Sequence, residues 1–158
     1  MKPQEFEQLQ DVFQKHNVTL AYVFGSVARG TEGPLSDVDI AVLFDRNVPV
    51  ELQLGQEFSL ANAIGQALQK DRLEIVNLNR VQSPVLKHRA IFFGRPIFAT
   101  DNHMRVRFEK QVLEAYEDTK HLRHIAYMTM GRHVKEHAFG KGALSPREKL
   151  VLQKHAIR

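Results

Sequence analysis

Ten residues separate Gly25-Ser26 from the pair Asp37-Val38-Asp39, and an apolar segment lies on either side. Thr19–Phe24 reads as a strand running into a glycine turn, and Val38–Phe44 as a second strand that opens with acids. Asp37 and Asp39 are two apart, and in a strand such residues point to one face. Two carboxylates side by side repel each other unless a cation lies between them. The spacing therefore predicts a divalent metal site rather than a packed core. Gly25 has no side chain, so a phosphate can approach the backbone at the turn. Ser26 adds a hydroxyl, and a helix expected just after it aims free N–H groups at an anion. Magnesium binds through one or two carboxylates plus substrate phosphates. Together these features predict a metal–nucleotide site.

The rest of the chain alternates helix and strand. Phe6, Leu9, Val12 and Phe13 have helical spacing, so a helix is predicted from Glu5 to Lys15 and ended by Asn17. Val38–Phe44 is apolar beyond its acids and is predicted to be buried on both faces. Glu51 to Lys70 reads as a long helix with a broad stripe of Leu52, Leu54, Phe58, Leu60, Ala61, Ile64 and Leu68. Leu73–Leu78 is a third strand. Ser83-Pro84 is an N-cap with a first-turn proline, opening a helix to about Phe93 that Gly94 stops. Pro96–Phe98 is a short closing strand, and one helix is predicted from His103 to about Lys135. This alternation gives an α/β domain.

With 158 residues and 43% hydrophobic content, the chain can bury one principal core. It has no apolar run of about 18 residues, so no membrane partner is expected. The N-terminal residues lack a signal-peptide pattern. Cysteine is absent, which excludes disulfides and thiolate metal sites and fits a cytoplasmic protein. Residues 1–100 carry 10 Lys+Arg against 11 Asp+Glu, and residues 101–158 carry 12 against 7. The net positive charge is thus all in the C-terminal third, open to RNA or an acidic partner surface, or simply solvated. His121-x2-His124 and His133-x3-His137 have spacings that could pair on a helix face, but with no third ligand they read as a polar face. Glu74 lies inside an apolar strand, where an unpaired charge is expensive. It must face solvent, pair with Arg72, or serve the site.

The Gly-Ser-x10-Asp-x-Asp pattern resembles the nucleotidyltransferases of the DNA polymerase β superfamily. The short chain is similar to the minimal nucleotidyltransferases found as antitoxins paired with HEPN-domain toxins. The resemblance covers about the first 100 residues and is strongest from Leu20 to Phe44. It implies a polymerase β-like palm, with a mixed sheet flanked by helices and a C-terminal helix added. The expected organisation is a nucleotidyltransferase domain over 1–100, a helical extension over 101–138, and a basic, loosely ordered tail over 139–158.

The resemblance also implies the chemistry. Two magnesium ions would be held by Asp37 and Asp39, with Glu74 as the third acid, either metal ligand or general base. Gly25 and Ser26 would hold the triphosphate, with Arg29 and Ser36 of the same segment added to the nucleotide-binding set. ATP is the implied donor, and the acceptor is a tyrosine hydroxyl of a partner HEPN toxin, in a hetero-oligomer with it. AMP transfer would neutralise the toxin's ribonuclease. Nucleic acid is not an expected partner. Asn77 is a departure, because many antitoxin-type chains carry an acid there; the third acid then rests on Glu74 alone. Arg132-x4-His137 matches the Arg-x4-6-His pattern of HEPN nucleases, but without the helical bundle that pattern needs. Two alternatives stand beside this reading: an antitoxin that occludes its toxin without catalysis, and nucleotide transfer to a small molecule such as an aminoglycoside.

Overall fold

The fold is described here from a computed structural model over residues 3–31, 33, 36–70 and 72–135. Its elements run α1 (Pro3–Lys15), β1 (Val18–Phe24), α2 (Gly25–Arg29), β2 (Val38–Phe44) and α3 (Val50–Leu68). They continue with β3 (Leu73–Asn77), α4 (Pro84–Phe92), β4 (Arg95–Ala99), α5 (Asn102–Asp118) and α6 (Lys120–Lys135). The four strands form one sheet in the order β3-β2-β1-β4. β1 is antiparallel to both β2 and β4, while β2 and β3 are parallel and joined through α3. This is the mixed sheet flanked by helices that the family resemblance implied.

Strand alternation splits the core in two. On one face Val23, Ile40 and Val42 pack with Leu9 and Phe13 of α1 and Leu60 and Ile64 of α3. On the other, Leu20, Tyr22 and Ala41 pack with Ala90 and Ile91 of α4 and Val112 of α5. β2 is covered on both sides, as its apolar sequence predicts. Tyr22 is buried and donates a hydrogen bond to Glu109 Oε1 at 3.0 Å, and Arg105 Nη1 lies 3.1 Å from the same oxygen. This chain of contacts pins α5 to the sheet.

Local signals place several boundaries. Asn17 ends α1 at φ +55, and its N–H donates to Gln14 O. Ser83 Oγ accepts from Leu86 N–H at 3.3 Å and Pro84 follows at the first helical position, so the α4 cap is as predicted.

Two expectations change. The inward stripe of α3 is Gln53, Glu57, Leu60, Ile64 and Leu68, whereas Leu52, Leu54 and Phe58 are exposed. The cause is Asn77, buried at the end of β3. Its Nδ2 donates to Gln53 Oε1 at 3.0 Å and to Glu57 Oε1 at 2.8 Å, and Gln53 Nε2 donates to Val48 O. A buried amide must be satisfied, so the first turns of α3 present amide and carboxylate to the sheet. The single helix predicted over 103–135 is also two. The break falls at Thr119, whose carbonyl accepts from Arg123 N–H at 2.9 Å and whose hydroxyl accepts from Arg123 Nη1. Asp and Thr compete with helical backbone bonds and favour such ends.

The chain divides into two compact units, residues 1–118 and 119–158. The first holds the whole sheet and both cores. The second is described through α6, which carries four Lys or Arg, three His and no acid. The expected tail over 139–158 and His137 lie outside the described residues. Among those that are described, no helix is long and apolar enough to cross a membrane.

Candidate functional site

The end of β1 delivers the backbone to β2 at one point. Phe24 pairs with Asp39, and the next residue, Gly25, has φ +71. A Cβ built on Gly25 would lie 2.0 Å from Asp39 Oδ2. Only glycine can hold that conformation and leave room for that carboxylate. The turn then closes as α2, a five-residue helix that begins at Gly25. It is anchored by buried Val27 and ended by Gly30 at φ +67. Thr31 N–H donates to Ser26 O at 3.0 Å, which fixes the far side of the turn.

The third acid arrives through the parallel pairing. Asp39 is the partner of Glu74 in the β2–β3 register. Both side chains project to the face covered by α4 and α5, because Ala41 and Val76, two residues on, pack there. Asp37 lies on that same face by strand period. Asp39 is half-buried, while Asp37 and Glu74 are exposed. Burial raises the Asp39 pKa above the usual carboxylate range. The charges of Glu74 and Asp37 raise it further, and Arg29 opposes them. Asp39, beside the Gly25 turn, thus feels two further carboxylates and one guanidinium. None of the three carboxylates has a hydrogen-bond or ion-pair partner among the described residues.

This donor set suits magnesium. All three groups are hard oxygen donors, and the repulsion that Glu74 and Asp37 exert on the Asp39 carboxylate is what a cation would relieve. Among the described residues, no three His, Asp or Glu side chains are drawn together as a ready-made cage. Magnesium's habit of completing its shell with water and substrate phosphate fits an open set of this kind.

The remaining candidates differ in how near they come to the acids. Arg29 is exposed on α2 and close enough to Asp39 for its charge to be felt. Ser26 is the next residue after Gly25 in the turn. Ser36 Oγ accepts from Gly33 N–H at 2.9 Å and so staples the loop; among the described residues no hydrogen bond joins its side chain to the acids. Asn77 faces α3, on the opposite side of β3 from Glu74, and takes no part in the acidic cluster. The two residues are three apart, and a regular strand turns such residues to opposite faces. The near-contact of Gly25 with Asp39 could not be read from spacing alone, since it depends on the β1–β2 register.

Comparison with known proteins agrees with the fold. A chain of a toxin–antitoxin crystal structure with AMP-PNP superposes with a TM-score of 0.65 at 22% identity, covering 82% of this chain and 98% of that one. A chain from a complex of tri-AMPylated Shewanella oneidensis HEPN toxin with MNT antitoxin gives 0.63 at 20% identity, with the same coverage. One from the toxin–antitoxin MntA-HepT gives 0.62 at 19% identity, again covering 82% and 98%. At these identities the likeness is one of fold. Among curated proteins no relative matches this chain. The family model described as Polymerase beta, Nucleotidyltransferase matches residues 7–103, a span that holds the Gly25 turn and all three carboxylates. The chain belongs to the polymerase β nucleotidyltransferase family.

Proposed function

We propose that this nucleotidyltransferase moves AMP from ATP to a tyrosine hydroxyl of a cognate HEPN ribonuclease toxin and so neutralises it. The observation that carries the reading is the register that sets Glu74 beside Asp39 and Asp39 against the side-chain-free Gly25. A phosphate can reach the backbone of that turn, and magnesium held by the carboxylates would offset its charge. The solved structures of similar fold, which include a complex with AMP-PNP and one with an AMPylated HEPN toxin, support ATP as donor and such a toxin as partner.

The residues take distinct roles. Gly25 and Ser26 bind the β- and γ-phosphates through backbone N–H groups and a hydroxyl, with Arg29 adding positive charge. Asp37 and Asp39 would hold magnesium, which would supply Lewis-acid stabilisation to the phosphoryl oxygens. Glu74, the exposed acid on the neighbouring strand, accepts the proton of the incoming phenol, whose ordinary pKa near 10 demands a base. The phenolic oxygen forms a bond to the α-phosphorus, the bond to the bridging oxygen breaks, and pyrophosphate leaves. Ser36 contributes by fixing the loop between the turn and β2. The helices beyond residue 100 serve as partner-facing extension to the catalytic domain, and the assembly is a cytoplasmic hetero-oligomer.

The test is incubation with ATP, magnesium and the adjacent-gene toxin, followed by mass spectrometry of the toxin. An AMP adduct on tyrosine that vanishes in D39N is the expected result. A tight complex that inhibits the toxin without any adduct would overturn the transferase reading in favour of occlusion.

A further inference from the structure

The sheet has two ends, and the carboxylates use only one. Where β2 stops, a cleft of about 650 Å³ opens between the strand exit and α5. Leu43, at its edge, lies on the same face of β2 as Asp39, four residues or about 13 Å further along the strand. The cleft is therefore separate from the Gly25 turn, and its volume is within the range of small-molecule sites, roughly 300–1,000 Å³.

Its chemistry is lopsided toward donors. Arg46, Arg107 and Gln111 line it, and none of the three makes a hydrogen bond or ion pair among the described residues. Asn79, by contrast, is fully engaged: it donates to Phe44 O and accepts from Phe44 N–H. Asp45 is the one acid in the lining, and its Oδ1 already accepts from Asn47 N–H. Two guanidiniums against one half-satisfied carboxylate leave the cleft net positive. Met104 and Phe108, both half-buried on α5, supply an apolar and aromatic wall beside them. A complementary ligand is rich in acceptor oxygens at one end and flat and apolar at the other.

We propose that this cleft is a second, non-catalytic binding site for a nucleoside phosphate, with the phosphate between Arg46 and Arg107 and the base against Phe108. A free nucleotide and the terminal residue of an RNA strand share that chemistry. The inference is independent of the transferase reading, because no residue of the Gly25 turn enters it.

The test uses the full chain, 15N-labelled and kept in EDTA so that no metal recruits phosphate to the carboxylates. AMP is titrated into the wild type, D39N, R46Q and R107Q, with inorganic phosphate and a short oligoadenylate as parallel probes. Saturable AMP binding should shift the Gln111 side-chain amide and the backbone amides of 43–47. It should be unchanged in D39N, about tenfold weaker in each arginine variant, and tighter than inorganic phosphate. Oligoadenylate that binds far more tightly than AMP through the same arginines makes the source an RNA end; comparable affinity makes it the free nucleotide. Shifts confined to Gly25 and Ser26, binding no tighter than inorganic phosphate, or no saturation at millimolar AMP would overturn the proposal. So would equal displacement of AMP by an oligoglutamate peptide, which would reveal a surface that reads charge alone. Should an arginine variant not fold, the wild-type shift map decides by itself.

Discussion

At Gly25 two constraints fall on one missing atom. The backbone is left-handed, φ +71, and a Cβ would meet Asp39 Oδ2 at 2.0 Å. Gly25→Ala must therefore strain the turn and displace the carboxylate together. We expect a loss of roughly 1–3 kcal/mol in urea unfolding, with transfer falling at least about a hundredfold. A variant with wild-type stability and turnover would show that the turn does not hold the site. Asn77 gives a second residue-scale prediction. Replaced by Asp, it loses both donor bonds and sets a carboxylate where its amide nitrogen stood, 2.8 Å from Glu57 Oε1. Asn77→Asp should lower stability by about 2–4 kcal/mol at neutral pH. Little change in the urea midpoint would mean the buried network is not as tight as its distances. An acid thus could not be placed at this position without changing α3 as well.

At the scale of elements, long-range pairs decide what local patterns leave open. Tyr22 and Glu109 are 87 residues apart in sequence, yet their hydrogen bond fixes α5 against β1. Tyr22→Phe keeps the buried ring and leaves Glu109 to Arg105, so about 1 kcal/mol should be lost. Hydrogen exchange should quicken first in α5, and uniform quickening would argue against a local anchor. The same contrast explains why some elements were legible in the sequence and others were not. β1, β2, the Ser83 cap and the Gly25 turn could be read because glycine, proline, capping serine and apolar runs act within a few residues. The inward face of α3 could not, because Gln53 and Glu57 turn inward only when Asn77 comes to meet them. The break at Thr119 was hidden by apolar residues that keep helical spacing across it. Of the site, Asp37, Asp39 and the turn were plain in the spacing. That Glu74 stands beside Asp39 required knowing that β2 and β3 are parallel and in that register.

For the whole molecule, the first compact unit contains every strand and every buried core residue described, ending with Val112. A chain stopped at Asp118 should unfold cooperatively with nearly the full-length urea midpoint. A non-cooperative transition would mean that residues 119–158 complete the fold. The site, by contrast, works against that stability. Asp39 binds its proton more tightly in the folded state than an ordinary carboxylate, because burial and the charges of Glu74 and Asp37 disfavour ionisation. Below about pH 4 the group is protonated in both states and has no effect. As pH rises from there through the elevated pKa, the unfolded chain releases its proton first, and the fold is progressively destabilised. The penalty is complete once the pH has passed that elevated pKa. Without metal, D39N should therefore melt higher than wild type at pH 7, and the margin should close as pH falls toward 4. Magnesium should raise the wild-type melting temperature at pH 7 and raise that of D39N less, since binding to the folded state alone stabilises it. A D39N protein less stable than wild type at pH 7 without metal would mean that Asp39 supports the fold. Its crowding against Glu74 and Asp37 could then not be the stored repulsion that a cation is bound to relieve.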